Sequence, residues 1–254
     1  MKISLILLIA ISSLWQISVA QTYNAAYVKA LYAKYPTKKS NFCKACKIWV
    51  NPFYTSIADT ERHMPLVTFE KLTAANYAKV KTLKLPRTGV FAAWSSVVGQ
   101  PNEDKVYVAA NKIVKPKGDE IAKGHNNCWI VNAWCQDAAI FSDTYTFNAA
   151  MESQGQNVGT EIATENITRT LLQKMDVNEW VGTFGSEATF TDGKITDTEP
   201  TFYYKILQYG GTMTCYWMPN NKSENQSMLT KRMVTLQQLI KNLGFDPTQV
   251  IKAN

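Results

Sequence analysis

The chain has 254 residues, 46% of them hydrophobic, with 27 Lys and Arg against 20 Asp and Glu for a formal net charge of +7. A basic chain suits a polyanionic partner, but no run of five or more basic residues forms a disordered nucleic-acid tail; Lys38 and Lys39 with Lys44 and Lys47 make only a local cluster. No internal repeat or low-complexity linker divides the chain, which excludes a repeat array and points to one continuous domain over 21–254.

At the N-terminus Met1 and Lys2 precede an apolar run from Ile3 to Trp15, and Ser18, Val19 and Ala20 supply small residues for a signal peptidase. Residues 1–20 are therefore expected to be a signal peptide. An uncleaved anchor is the competing reading, but Ser12, Ser13, Gln16 and Ser18 shorten the apolar stretch below the roughly 20 residues a span needs. No later segment is apolar enough to cross a bilayer, so the expectation is a secreted, extracellular protein without stable membrane association.

The spacing of Val28, Leu31 and Tyr32 predicts a helix over 21–34, and that of Leu72, Tyr77 and Val80 a second over 68–81, with Asn51-Pro52 and Met64-Pro65 as breaks between them. Short aromatic and β-branched runs predict strands at 89–94, 106–110, 129–131, 180–184, 202–208 and 213–217, with a turn at Asp192-Gly193. Near the end, Met233, Leu236, Leu239, Ile240 and Leu243 form a helical stripe stopped by Gly244. The fold class is α+β, with a sheet flanked by helices.

Cys43, Cys46, Cys128, Cys135 and Cys215 allow two disulfides and one remaining thiol, in keeping with export. Cys43-Lys44-Ala45-Cys46 has no second soft-ligand pair for zinc, so a structural disulfide is the better reading, and no cysteine sits beside a histidine as a thiol nucleophile would. Asn166, Asn221 and Asn225 begin three glycosylation sequons.

The chemistry concentrates from His125 onward. The chain holds two histidines, and His125 follows Gly124 in a turn that opens an apolar segment. Asn148 precedes Asn157 by nine residues, and Asn157, Glu161, Glu165 and Arg169 recur every four residues along a helix over 157–172, opposite an inward side of Ile162, Ala163, Ile167, Leu171 and Leu172. By itself such a polar face is a solvated helix surface, worth tenths of a kcal/mol through a Glu165–Arg169 pair. His63, in Arg62-His63-Met64-Pro65, has no partner pattern and is expected at the surface or in packing; Trp94, Trp129, Trp134, Trp180 and Trp217 are expected to be core.

At Gly124-His125, Asn148, Asn157, Gly159, Glu165 and Arg169 the chain resembles the DNA/RNA non-specific endonucleases, whose ββα-metal site pairs a strand histidine with a metal-binding asparagine on the following helix. The resemblance spans about 119–245 and implies a ββα-metal nuclease core over 101–254, with 21–100 as an N-terminal extension and first part of that domain. Ala122-Lys123 stands where the family has Asp-Arg, and Met151-Glu152 where it has Pro-Gln after the first Asn. The resemblance implies a Mg²⁺ ion, with Mn²⁺ as the alternative, on Asn157. It implies His125 as general base, Glu165 orienting a metal-bound water, Arg169 and Lys123 on the phosphate, and Asn148 fixing the geometry. DNA and RNA would be the substrates. Two other readings stay open: a nuclease-like protein that binds nucleic acid without cutting it, favoured by Ala122-Lys123, and a secreted interaction protein.

Overall fold

The computed structural model describes residues 25–85, 103–193 and 195–253. The signal-peptide segment, the strand expected at 89–94 and Trp94 lie outside them. The main sheet has eight strands, all neighbours antiparallel, in the order β1 (Lys38–Lys39), β2 (Cys46–Val50), β3 (Tyr54–Asp59), β4 (Met64–Leu72), β7 (Val177–Phe184), β10 (Phe202–Tyr209), β11 (Thr212–Pro219) and β12 (Met233–Val234). Two hairpins stand apart from it: β5 (Ile121–His125) with β6 (Ala149–Ser153), and β8 (Ala188–Thr191) with β9 (Thr196–Glu199).

The helices are α1 (Ala25–Ala33), α2 (Ala74–Leu83), α3 (Asp104–Val114), α4 (Trp129–Asn132), α5 (Gln136–Ser142), α6 (Ile162–Leu171), α7 (Leu236–Leu243) and α8 (Pro247–Ala253). Capping explains several boundaries. Thr73 accepts a hydrogen bond from the Asn76 amide to start α2, Thr235 and Gln238 form a reciprocal capping box on α7, and Gly244 closes that helix at a φ of 78° that a side chain rarely adopts.

The sequence predictions hold at 180–184, 202–208 and 213–217, and the Asp192-Gly193 turn joins β8 to β9. Four expectations are corrected. Residues 68–72 belong to β4, because Thr68, Glu70 and Leu72 alternate inward between β3 and β7, and the helix begins only after the Thr73 cap. The run 106–110 is helical in α3, burying Val106, Tyr107 and Ala110 on one side, and 129–131 is the short helix α4. Met233 pairs in β12 rather than opening α7. Strands β2 and β3 fall where the sequence carried no prediction.

Three apolar clusters hold the layers together. The largest packs the sheet face of Ile57, Val67, Tyr204 and Ile206 with Leu239 and Leu243 of α7. A second joins Val28 and Tyr32 of α1 to Trp49 and to Ile140 and Phe141 of α5. The third seats Val106 and Tyr107 of α3 on Ile121, Tyr145 and Met151, which fixes α3 against the β5–β6 hairpin. Burying a large side chain of this kind contributes about 1.5–3 kcal/mol.

Candidate active site

A strand, a second strand and a helix follow one another from 121 to 171, and this unit places the candidate chemistry. His125 ends β5, its neighbour Gly124 faces Ala150 of β6, and the chain then turns from β6 into a helical run beginning at Gln154. Gly124 is required by contact: a Cβ there would lie 2.5 Å from Glu152 Oε2 and 2.6 Å from the Tyr203 hydroxyl. Gly159 is required likewise, since a Cβ would lie 2.8 Å from Asn225 Cα, and its ψ of −109° breaks the helix just after Asn157. Residues 157–161 form a wide turn before the regular helix α6, the kind of irregularity that recurs at functional sites.

One cavity of about 390 Å³ is lined by Lys123, His125, Asn157, Glu165 and Arg169, five of the six side chains picked from the sequence. Asn148, the sixth, is fully buried away from it. Its Oδ1 accepts from the Asn127 amide at 2.8 Å, its carbonyl accepts from the Asn126 amide at 2.7 Å, and its side-chain amide donates to the carbonyls of Asn127 and Ser142. Asn148 therefore clamps the loop after His125 to β6, which is a positioning role. His125 has its Nε2 3.4 Å from Oδ1 of Asp143, a carboxylate the sequence did not single out. Asp143 is buried beside the ring, where it can set the tautomer.

The basic residues are not idle. Lys123 reaches Asp104 Oδ1 at 2.5 Å and lies over the Tyr145 ring, while Arg169 donates to Asn166 Oδ1, which ties the first sequon to the site. Trp129, expected in the core, is half-buried and lines the cavity.

Behind the wall lies a buried ionic network. Glu161 was expected on the solvated polar stripe; it is instead buried and paired with Lys205 Nζ at 2.5 Å. The inward face of the helix is correspondingly polar, built from Thr160, Thr164 and Thr168 where Ile162, Ala163, Ile167 and Leu171 were expected, with Thr168 donating to Glu179 Oε2 at 2.9 Å. Only Leu172 of that expected side is fully buried. Burial works to neutralise Lys205, but the carboxylates of Glu161, Glu179 and Glu165 outweigh it and hold the ammonium charged. Burial, reinforced by Glu161 and Glu165, pushes the Glu152 carboxyl well above its ordinary range. Burial also pushes Glu161 up, against the pull of Lys205.

Sequence reasoning missed Lys205 and Asp143 because each lies far along the chain from its partner, or without periodicity beside it, and nothing local marks them. Burial and the adjacent Glu165 also push the Cys128 thiol well up, so it is a protonated donor to Glu165 rather than a nucleophile. Cys43 and Cys46 form the expected disulfide, while Cys128, Cys135 and Cys215 are thiols, so the second disulfide is not made.

The donor set of the cavity fits a hard divalent cation. Asn157 offers an amide oxygen, Glu165, Glu161 and Glu152 offer carboxylates, and Glu152 Oε1 and Glu161 Oε2 are buried without a hydrogen-bond partner.

No protein-family model matches the chain, and no curated protein matches it. Among solved structures, the crystal structure of the EndoG/EndoGI complex, which concerns the mechanism of EndoG inhibition, aligns with a TM-score of 0.60 at 18% identity, covering 78% of this chain and 83% of that one. At that identity the likeness shows the fold alone: helices packed around a large antiparallel sheet, an arrangement shared with that protein and consistent with the fold that the sequence resemblance implied.

Proposed function

We propose that the chain is a metal-dependent phosphodiester hydrolase acting on DNA and RNA, exported from the cell. The observation that carries the reading is the convergence of Lys123, His125, Asn157, Glu165 and Arg169 on one cavity from a strand–strand–helix unit. The EndoG-like fold supports it. The disulfide in Cys43-Lys44-Ala45-Cys46 suits an oxidising compartment.

In this reading Asn157 would hold Mg²⁺ through its neutral amide oxygen, and Glu165 would support the ion's hydration from the same wall. The ion, when bound, stabilises charge on the phosphate and on the departing oxygen. Asp143 beside Nε2 orients the His125 ring and assigns Nδ1 the proton taken from the attacking water. Arg169 turns from Asn166 to the phosphate, and Lys123 contributes its charge from the other wall. Lys205 pairs with Glu161 behind the cavity wall and offsets part of the burial that pushes its carboxyl up. Contacts of this kind are to the phosphate backbone, so sequence preference is weak and affinity falls as salt rises.

A second reading, binding without cleavage, is favoured by the Lys123–Asp104 pair, which occupies a charge the phosphate would need, and by the acidic Glu152 on the cavity wall. Digestion of plasmid DNA and double-stranded RNA by the full mature chain, with Mg²⁺ and with EDTA, separates the two. Metal-dependent fragments support hydrolysis, and salt-sensitive binding without fragments in Mg²⁺ supports the binder.

A further inference from the structure

Away from the cavity, three side chains from distant parts of the chain converge. His63 lies in the turn between β3 and β4, Glu103 immediately precedes α3, and Asp197 lies in β9; each offers one ligand atom, and these atoms all lie within 4.8 Å of one another. His63 Nδ1 is 2.6 Å from Asp197 Oδ1, and Glu103 Oε1 accepts from the Thr146 hydroxyl. The remaining oxygens, Glu103 Oε2 and Asp197 Oδ2, are buried without a partner, although both residues are at most 1% exposed. Leaving a carboxylate oxygen unsatisfied in such a place is costly, and a bound cation would satisfy both oxygens at once.

We propose that His63 Nδ1, a Glu103 carboxylate oxygen and an Asp197 carboxylate oxygen form a site for one transition-metal dication of the zinc class, separate from the Asn157 cavity. The chemistry of the three donors selects the ion. Carboxylates alone would suit Mg²⁺ or Ca²⁺, but an imidazole nitrogen with two carboxylates is a set that zinc-like ions bind better. Binding replaces the Nδ1 proton of His63 and the proton that burial holds on the Glu103 carboxyl by the metal, and both protons leave to solvent.

The consequence is structural and reaches the cavity. The ion ties the β3–β4 turn, the β8–β9 hairpin and the start of α3 together. Glu103 is followed by Asp104, which holds Lys123 at 2.5 Å, and Thr146 and Tyr145 hold Glu103 and Asp104 in turn. The site thereby fixes the helix whose first residue positions one wall of the cavity, and it stands whether or not that cavity hydrolyses nucleic acid.

The experiment uses the tag-free full mature chain, stripped with a chelator, reloaded with Zn²⁺ and dialysed. Metal content and the zinc X-ray absorption spectrum are measured for the wild type, Asp197→Asn, His125→Ala and Asn157→Ala. Because His63 and His125 are the only histidines, an imidazole signature that survives His125→Ala belongs to His63, and this readout needs no substitution in the proposed site. One equivalent of zinc with that signature in the wild type, His125→Ala and Asn157→Ala, lost in Asp197→Asn, is the expected result. A Tm rise of about 5–10 °C at 100-fold excess over Kd should accompany it. A wild type that retains no zinc, or a zinc spectrum without imidazole in His125→Ala, overturns the proposal. So does full zinc retention in Asp197→Asn, or loss in Asn157→Ala alone.

Discussion

The cavity network and the His63 cluster are both buried collections of carboxyls, and they are balanced in different ways. Around the cavity, Glu152, Glu161 and Glu179 share one internal cation, Lys205, which the surrounding carboxylates keep charged against the penalty of burial. At the second cluster two carboxyls face a single imidazole, and burial together with the adjacent Asp197 holds the Glu103 carboxyl well above the usual range. Lys205 pairs directly with Glu161 at the first centre, whereas at the second Lys123 acts on Glu103 only from its pair with Asp104, and the proposed zinc-class ion would complete the balance. In the proposed reading the difference also separates roles: Asn157 and Glu165 line the open cavity, whereas His63, Glu103 and Asp197 join the β3–β4 turn, the start of α3 and β9.

Removing Lys205 should have the largest effect. Lys205→Met leaves Glu161, Glu179 and Glu152 buried without their counter-charge, and a loss of about 3–5 kcal/mol is expected. Denaturant unfolding checks it, and the double variant Lys205→Met/Glu161→Gln should recover part of the loss.

Glu70 extends the series, since burial pushes it up to about 8 with the Asn132 amide as its hydrogen-bond partner and no lysine among the groups that shift it. Glu199, buried near Asp119 and Glu187, is pushed up to about 7. The folded chain retains these protons while the unfolded chain releases them near the ordinary glutamate value of 4.5. Stability from this source is therefore full below that value, declines as pH rises, and levels off above about 8. Glu70→Gln should flatten the decline by on the order of a few kcal/mol, read from urea midpoints at pH 5 and pH 8.

Smaller still is the effect of Gly124→Ala, whose methyl group must displace Glu152 and Tyr203; a cost of about 1–3 kcal/mol and a fall in metal affinity are expected, measured by thermal unfolding and Mg²⁺ titration. Asp104→Asn should change stability least, by about 0.2–1 kcal/mol, because its pair with Lys123 is partly exposed. It should nevertheless steepen the salt dependence of nucleic-acid binding by about one unit of slope as Lys123 is released to phosphate. An unchanged slope would remove Lys123 from the substrate contacts.

These cases also show what the sequence makes legible. The four-residue spacing from Asn157 to Arg169 is a local signal, and the helix it predicts is present; so are the β10–β11 hairpin and the Gly244 stop. The side of the helix that Glu161 faces was misread because its counter-ion sits 44 residues away, and a carboxylate paired at that distance looks solvated in sequence. The runs at 106–110 and 129–131 misled for another reason: short apolar stretches carry no period long enough to tell strand from helix. His63 gave no signal at all, since its partners lie 40 and 134 residues further on and only the fold assembles them.

The proposed role of the His125–Asn157 cavity as a metal-dependent phosphodiester site rests on the chemistry of His125. Single-turnover cleavage of a short duplex in Mg²⁺, by the wild type and by His125→Ala, tests it most directly when both proteins are shown to have the same Tm. Cleavage by the wild type that EDTA abolishes and a fall of about 10²–10⁴-fold in His125→Ala are expected. Equal rates in the two proteins, or cleavage indifferent to EDTA, would contradict it.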